Sequence, residues 1–371
     1  MALAVIVLVP AWSYYRALSA EGTDPFAARS VEWMRDNGLS GVVDWVEHWW
    51  YTRNPPPVGG KPKHGIPVAK GPSGDAATKA GAAAAVPAVQ DHLTPPPPMQ
   101  PLVTTPLPGE GVWQPTGRQV AGLPAVYTAF FRPDAVHTSL IAGAMWLDVK
   151  LLKTTFIPGL NEPGGPQTLG AQVPPELRPG LVAAFNSGFK IDSSQGGVYT
   201  DGQVVKPLVD GAASLVINTD GEASVGVWGR DFVMGPDIAS VRQNLALILD
   251  DGVPAPGLPT NQDGAWGATL GNEVFVWRSG VGVDANGALV YVAGPGLSAV
   301  TLAVLLQRAG CVRAMELDIN SQWTSAYTYQ QTDPANPAAV EGLKLLPEMS
   351  RDGNRYLQPG ERDFFALFAA H

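Results

Sequence analysis

Apolar and polar positions along the chain fall into three regimes. Residues 1–15 are apolar apart from Ser13, with Pro10 near the middle. At about 1.5 Å per residue this stretch is short of a hydrocarbon layer of roughly 30 Å. It also lacks the basic segment that opens a signal peptide. It reads as an apolar N-terminal helix over 1–20, either buried or the end of a signal-anchor. Asp24-Pro25 then offers a helix start, an N-cap acceptor followed by proline at the first helical position. That helix runs to Asn37, where Gly38 can close it. A second, Leu39 to about Tyr51, carries Val42, Val43, Val46, Trp49 and Trp50. The helical hairpin over 21–53 suits either a membrane interface or packing on the body.

The second regime, 54–110, has no apolar periodicity. It holds 14 of the 35 prolines, an alanine run at 82–85 and Pro95–Pro98. Such a segment buries too little apolar surface to offset its ordering entropy, and it reads as an extended spacer. The third regime, 111–371, is strand-rich. Alternation or short apolar runs predict strands at Ala125–Phe131, Ala144–Leu152, Leu181–Phe185, Ser214–Asn218, Ala223–Trp228, Leu245–Leu249, Glu273–Trp277, Val281–Val283 and Ala288–Ala293. Thr219-Asp220-Gly221 is a hairpin turn. The clearest helix runs from Ser298 to about Ala309, capped by Ser298, faced with Leu302, Leu305 and Leu306, and stopped by Gly310. A strand at Val312–Asp318 follows, so strand, helix and strand form a βαβ unit with parallel strands. The fold class is α+β: a mixed-sheet body with hairpins and one crossover, plus an N-terminal helical anchor region.

Charge narrows the partners. Lys and Arg number 24 against 33 Asp and Glu, a net charge of −9. Nucleic acid is excluded as a partner, since phosphate backbones need clustered cations. A single cysteine, Cys311, excludes an intrachain disulfide and a thiolate metal cluster. Of five histidines only His137 lies within the body away from the terminus, which removes most histidine-based metal sites and weakens a Ser-His-Asp reading. Carboxylates, amides and a few cations remain.

Two places carry candidate chemistry. Gly294-Pro295-Gly296-Leu297-Ser298-Ala299 matches G-x-G-x-x-A at a strand-to-helix junction, with Glu316 twenty residues past Gly296. It is either a dinucleotide turn or a tight turn where backbones approach closely. Pro295 removes a donor where pyrophosphate would sit, and the chain before it reads as hairpins. The second place is the pair Glu316 and Asp318, two apart on one strand and so on one face. Such a pair can split its pKa values for acid–base work, or form an Asx-type turn and a surface ion pair. Asn186 and Arg278 end two other strands, with Lys190 four residues beyond Asn186.

The order of these motifs resembles the phosphodiester glycosidase family over about 180–325. Asn186-Ser187-Gly188-Phe189 stands where the family has Asn-Gly-Gly-Phe. Asp220-Gly221 matches its hairpin, and Leu249-Asp250-Asp251-Gly252 its next strand end. Arg278-Ser279-Gly280-Val281-Gly282 loosely matches Arg-Thr-Ala-Ile-Gly, and Leu317-Asp318-Ile319-Asn320 stands in place of Leu-Asp-Gly-Gly. The resemblance implies a hydrolase that cleaves a sugar-1-phosphodiester; no cofactor is expected, and no residue is assigned as a metal ligand. Asp318 and Glu316 are then the catalytic pair. Asn186, Gly188, Lys190, Arg278, Asp251 and Asn320 bind substrate, with Arg278 and Lys190 on the phosphate. With the N-terminal anchor, the expected location is the extracytoplasmic face of a cell membrane, acting on an envelope glycan. Replacement of the two glycines after Asp318 favours a rival, a non-catalytic glycan-binding or wall-organising module. A nucleotide-dependent enzyme is the third reading.

Overall fold

The computed structural model describes residues 2–19, 26–75, 91–261, 264–267 and 274–370. Asp24-Pro25 and the alanine run at 82–85 lie outside the described residues. Three helices open the chain: α1 (Ala2–Leu18), α2 (Phe26–Asp36) and α3 (Ser40–Arg53). The first two are joined by a 2.8 Å bond between the Tyr14 and Ser30 hydroxyls and a 3.0 Å bond from Trp33 Nε1 to Ser13 Oγ. Trp12, Tyr15, Phe26, Trp45, Val46 and Trp49 are exposed. No helix among the described residues is long and apolar enough to cross a membrane.

The body begins with β1 (Gln114–Val120), β2 (Leu123–Phe131), β3 (Ala142–Leu147), β4 (Leu152–Ile157), β5 (Leu181–Asn186) and β6 (Val198–Thr200). It continues through β7 (Gln203–Lys206), β8 (Ala213–Asn218), β9 (Ala223–Val227), β10 (Ile238–Gln243), β11 (Leu247–Asp250) and β12 (Val253–Pro254). Then come β13 (Val276–Asp284), β14 (Leu289–Leu297), helix α4 (Ala299–Arg308), β15 (Cys311–Glu316), β16 (Ala326–Gln331), β17 (Val340–Lys344) and β18 (Phe364–Ala369).

These strands make three sheets. The largest runs β1-β2-β3-β14-β13-β15-β11-β12, the second β7-β6-β10-β8-β9, and the third β17-β16-β5-β18-β4. The α+β class stands, with strand dominant. One face of the large sheet, including Met145, Leu147, Val281, Tyr291 and Met315, packs on Phe156, Phe185 and Phe365 of the third sheet and Leu215 and Ile217 of the second. Its other face takes α4, whose Leu302, Leu305 and Leu306 are fully buried, each worth roughly 2 kcal/mol of apolar burial.

The crossover from β14 through α4 to β15 is present, and its two strands run parallel. They are not neighbours: β13 lies between them and is antiparallel to both, so the pairing is antiparallel where a mixed sheet was expected. Two strand boundaries also differ. The expected strand Ala144–Leu152 is two strands in different sheets. Asp148 makes the break, since its carboxylate accepts from Lys150 N at 2.9 Å and its carbonyl from Leu151 N at 3.1 Å. Conversely, the runs expected around 273–277 and 281–283 belong to one strand, β13, with Glu273 outside the described residues. Gly280 sits inside that strand because a Cβ there would come within 3.0 Å of Leu306 Cδ1 and of the Met315 carbonyl.

The described parts of this segment, residues 54–75 and 91–110, form no helix and no named strand, and they do not stand away from the body. Ser73 bridges to Arg118, and Leu93 N donates to Asp148 Oδ2 at 2.8 Å. Met99 is buried and its amide donates to the Gly111 carbonyl. Glu110 pairs with Arg132 through both carboxylate oxygens, the shortest contact being 2.7 Å.

Candidate active site

Three strand ends meet where the large and third sheets adjoin: β5 at Asn186, β13 near its start at Arg278 and Ser279, and β15 at Glu316. Backbone bonds lock them together. Asp318 N donates to the Ser187 carbonyl at 3.2 Å, and Leu317 N to that of Ser279 at 2.8 Å. The Asp318 carbonyl accepts from Ser279 Oγ at 2.7 Å and Thr324 Oγ1 at 3.1 Å. These four bonds fix Ser187, Ser279, Leu317 and Thr324 around Asp318.

That carboxylate, Asp318, is buried and doubly held. Its Oδ2 accepts from Arg362 Nη2 at 2.8 Å and its Oδ1 from Asn320 N at 2.9 Å. Arg362 also donates to the Gly188 carbonyl at 3.1 Å, which ties it to the Asn186–Phe189 turn. Glu316, fully buried, pairs with Arg278 at 2.5 Å through Oε1. Its Oε2 has no partner among the described residues, and neither has the buried Ser187 Oγ. Burial raises the Glu316 carboxyl, and the charge of Asp318 adds to it. Arg278 offsets only part, so the pKa stands at about 7. Near neutrality Glu316 therefore holds a proton about half the time, while its neighbour two residues on is braced by a guanidinium.

The expected binding residues divide. Asn186 is at the junction, but its amide is fully engaged. It donates to the Ser187 carbonyl at 2.8 Å and Ser279 Oγ at 3.1 Å, and accepts from the Tyr291 hydroxyl at 2.8 Å and Ser325 N at 3.0 Å. With all four hydrogen-bonding positions used, it is a pin between strands and has nothing left for a sugar hydroxyl. Arg278 likewise lies within β13 and not at its end. It is buried and committed to Glu316 and to the Leu297 carbonyl at 2.9 Å, so it is not placed to clamp a phosphate. Gly188 is there for space: a Cβ would stand 2.8 Å from Asn244 Oδ1. Lys190 is half-buried, and its carbonyl accepts from Ser193 and Ser194 N. Asn320 caps the turn after Asp318, accepting from Gln322 N at 2.8 Å. Asp251 is not part of the site. It is an exposed turn residue at φ 47°, and antiparallel pairing of β11 with β15 puts it beside Val312, at the far end of β15 from Glu316.

The residues that complete the junction were missed. Arg242 pairs with Asp363 at 2.7 Å, both buried. Asn244 joins the Phe189 amide (3.1 Å) to the Glu316 carbonyl (2.8 Å). Arg362 and Asp363 directly precede the apolar run of β18, and a charged pair beside a core strand was the signal available for them. At the Gly294-Pro295-Gly296 junction, Gly294 and Gly296 fit against Ala142 and Leu140, with Cβ approaches of 2.9 and 2.7 Å, and Ser298 Oγ already takes the Thr301 amide. The glycines are there for close packing.

Residues 179–339 match the phosphodiester glycosidase family. The matched range includes Asn186, Arg278, Glu316 and Asp318 but ends before Arg362. No curated protein matches the chain. Among solved structures, the catalytic domain of zebrafish N-acetylglucosamine-1-phosphodiester alpha-N-acetylglucosaminidase, auto-inhibited by its pro-peptide, is similar over 68% of this chain and 87% of its own, at 13% identity and a TM-score of 0.42. A hypothetical protein from Synechocystis is similar over 68% of this chain and 63% of its own, at 13% identity and a TM-score of 0.36. A protein of Burkholderia pseudomallei K96243 described as exported covers 64% of this chain and 75% of its own, at 12% identity and a TM-score of 0.35.

Proposed function

We propose that the protein hydrolyses a sugar-1-phosphodiester, cleaving the bond between C1 and the bridging oxygen to give a free sugar and a phosphomonoester. The observation that carries this reading is the Asp318 carboxylate, gripped by Arg362 and Asn320 N at the meeting of three strands, with Glu316 two residues away. A phosphodiester departs readily, so strong acid assistance is not needed. The chain must stabilise positive charge at C1 and deliver water. Asp318 acts as nucleophile or as the base that activates water. Two charge-assisted bonds orient it. Glu316, with a pKa of about 7, is its proton-bearing neighbour. Asn186, Asn244 and Arg278 act as positioning residues.

The test is Asp318→Asn on a sugar-1-phosphodiester, with folding checked by circular dichroism. The amide can neither attack nor accept a proton, so turnover is expected to vanish. A folded variant that turns over at the wild-type rate overturns the reading. Wild-type protein that binds the diester without cleaving it supports the glycan-binding module instead.

The envelope location is part of the same proposal. Exposed Trp12, Tyr15, Trp45 and Trp49 on α1 and α3 are of the type that settles at a lipid–water interface. Co-sedimentation with lipid vesicles, lost on deletion of residues 2–53, is the expected outcome. Equal sedimentation of both forms overturns it.

A further inference from the structure

Arg362 holds Asp318 and the Gly188 carbonyl at once, so the place of its backbone relative to the Asn186–Phe189 turn decides where that carboxylate points. Arg362 itself stands outside any strand, just before β18. Its backbone is braced by the loop that follows β4. Leu160 N donates to the Gly360 carbonyl at 2.9 Å, and Glu162 N to that of Glu361 at 2.9 Å. Glu162 bridges to Arg362, and Gly159 N closes the loop on the Glu162 carbonyl at 3.0 Å. A side chain at Gly159 would run into the Glu361 carbonyl and the Arg362 backbone, so the two segments lie in contact.

From this loop the Glu162 side chain reaches across to the turn, where Oε2 accepts from Ile191 N at 2.8 Å. The Ile191 carbonyl is held from elsewhere, by Lys206 Nζ at 2.7 Å and Ser194 Oγ at 2.9 Å. The result is a closed frame. Arg362 grips the 186–191 segment at Gly188, Glu162 grips it at Ile191, and the backbones that carry the two side chains are bonded to each other.

We propose that Glu162 is a positioning residue: it sets Arg362 against the Asn186–Phe189 turn and, through Arg362, aims Asp318. That Asp318 is the reacting group rests on the function proposed above. Glu162 lies outside the range matched to the family.

The test compares Glu162→Ala, which removes the acceptor, with Glu162→Gln, which keeps one on a side chain of the same length. With a sugar-1-phosphodiester as substrate, and well below the melting temperature, Glu162→Ala in the full chain is expected to lower kcat about ten- to a hundred-fold with little change in KM, as for a misaligned group. Glu162→Gln is expected to recover most of that loss. A residue that only supports the fold would lower the melting temperature and leave kcat alone, and that outcome overturns the proposal. A second readout needs no turnover. Hydrogen–deuterium exchange is expected to quicken in Glu162→Ala over residues 318–322, where Asn320 N is bonded to Asp318 Oδ1, and to stay unchanged in α4. Faster exchange confined to 159–163 and Ile191 overturns the proposal. Should Glu162→Ala not fold, Glu162→Asp, one methylene shorter, carries both measurements. The two proposals fail separately. Quickened exchange over 318–322, in a protein whose wild type cleaves no sugar-1-phosphodiester, leaves Glu162 as the residue that places Asp318 and removes the catalytic reading. Diester hydrolysis with kcat unchanged in folded Glu162→Ala does the reverse.

Discussion

Arg362 and Asp318 lie 44 positions apart in the chain and meet at 2.8 Å, both almost wholly buried. Arg362 stands just before β18 of the third sheet and Asp318 just after β15 of the large sheet. The pair therefore spans the seam between two sheets, and a carboxylate proposed to react is aimed by a residue from another layer.

Removing Arg362 separates aim from chemistry. Loss of one member of a buried pair leaves the other charge uncompensated and costs about 3–5 kcal/mol. Arg362→Ala is thus expected to lower the melting temperature sharply. Arg362→Lys keeps the charge but not the fork that also reaches the Gly188 carbonyl. Its expected signature is a folded protein with kcat reduced roughly ten- to a hundred-fold and little change in KM, as for a misaligned group. Steady-state kinetics decide it, and unchanged kcat in Arg362→Lys removes Arg362 from the site.

Asn186 is expected to fail in stability, not in substrate affinity. Asn186→Ala strands the Tyr291 hydroxyl and the Ser325 amide in the interior, at about 1–3 kcal/mol for each unsatisfied group. Urea unfolding should show a loss of several kcal/mol. A stable Asn186→Ala protein with a raised KM would return Asn186 to the role of substrate ligand.

What the sequence discloses and what it conceals follow from the range of the forces involved. Helix α4 was legible because its signals are local: Ser298 caps it, leucines repeat along one face and Gly310 ends it. The turn at Asp220-Gly221 was legible for the same reason, whereas β15 ends at Glu316, two residues short of the expected strand end at Asp318. Asn186 was correctly put at the junction, but its partners Tyr291 and Ser325 are 105 and 139 positions away, and no local pattern encodes them. Asp251 was carried over with the Asp250-Asp251-Gly252 turn of the resemblance, and a short turn motif does not give the direction in which its strand runs. Only the antiparallel register of β11 on β15 shows that it faces away. Arg362 sits in the stretch just before β18, where no periodicity marked it.

Glu316 makes a pH prediction whose sign is set by its raised pKa. The folded group titrates at about 7, against an ordinary carboxylate value of 4.5. Between those values the folded protein holds a proton that the unfolded chain has released. Stability is therefore greatest below the ordinary value and declines as pH rises through about 7, by on the order of 3 kcal/mol. Glu316→Gln abolishes the titration. Urea midpoints at pH 5 and pH 8 should fall more steeply with pH in the wild type than in the variant. Parallel declines would show that Glu316 does not titrate in this window.

The final prediction concerns residues 54–110. Their proline load marks them as a dispensable spacer, but their contacts argue otherwise. Glu110 reaches Arg132 at 2.7 Å, Leu93 N caps Asp148, Gly59 N donates to the Val136 carbonyl, and Met99 is buried. Deleting the segment strands the Arg132 guanidinium and uncovers the apolar surface under Met99. From the ion pair alone the loss is about 3–5 kcal/mol. A chain starting at Gly111 should melt far below the full-length protein. Glu110→Gln supplies the finer test. Burial disfavours the Glu110 carboxylate, but bonds from Arg132 and from the Leu107 and Arg132 amides outweigh it and hold its pKa below the usual value. A depressed carboxylate stabilises above its unfolded pKa, and that contribution is lost as pH falls through the folded one. The melting difference between wild type and Glu110→Gln should accordingly be large at pH 7 and shrink in acid. A chain starting at Gly111 that melts with the full-length protein would show that the contacts from 54–110 add nothing to stability.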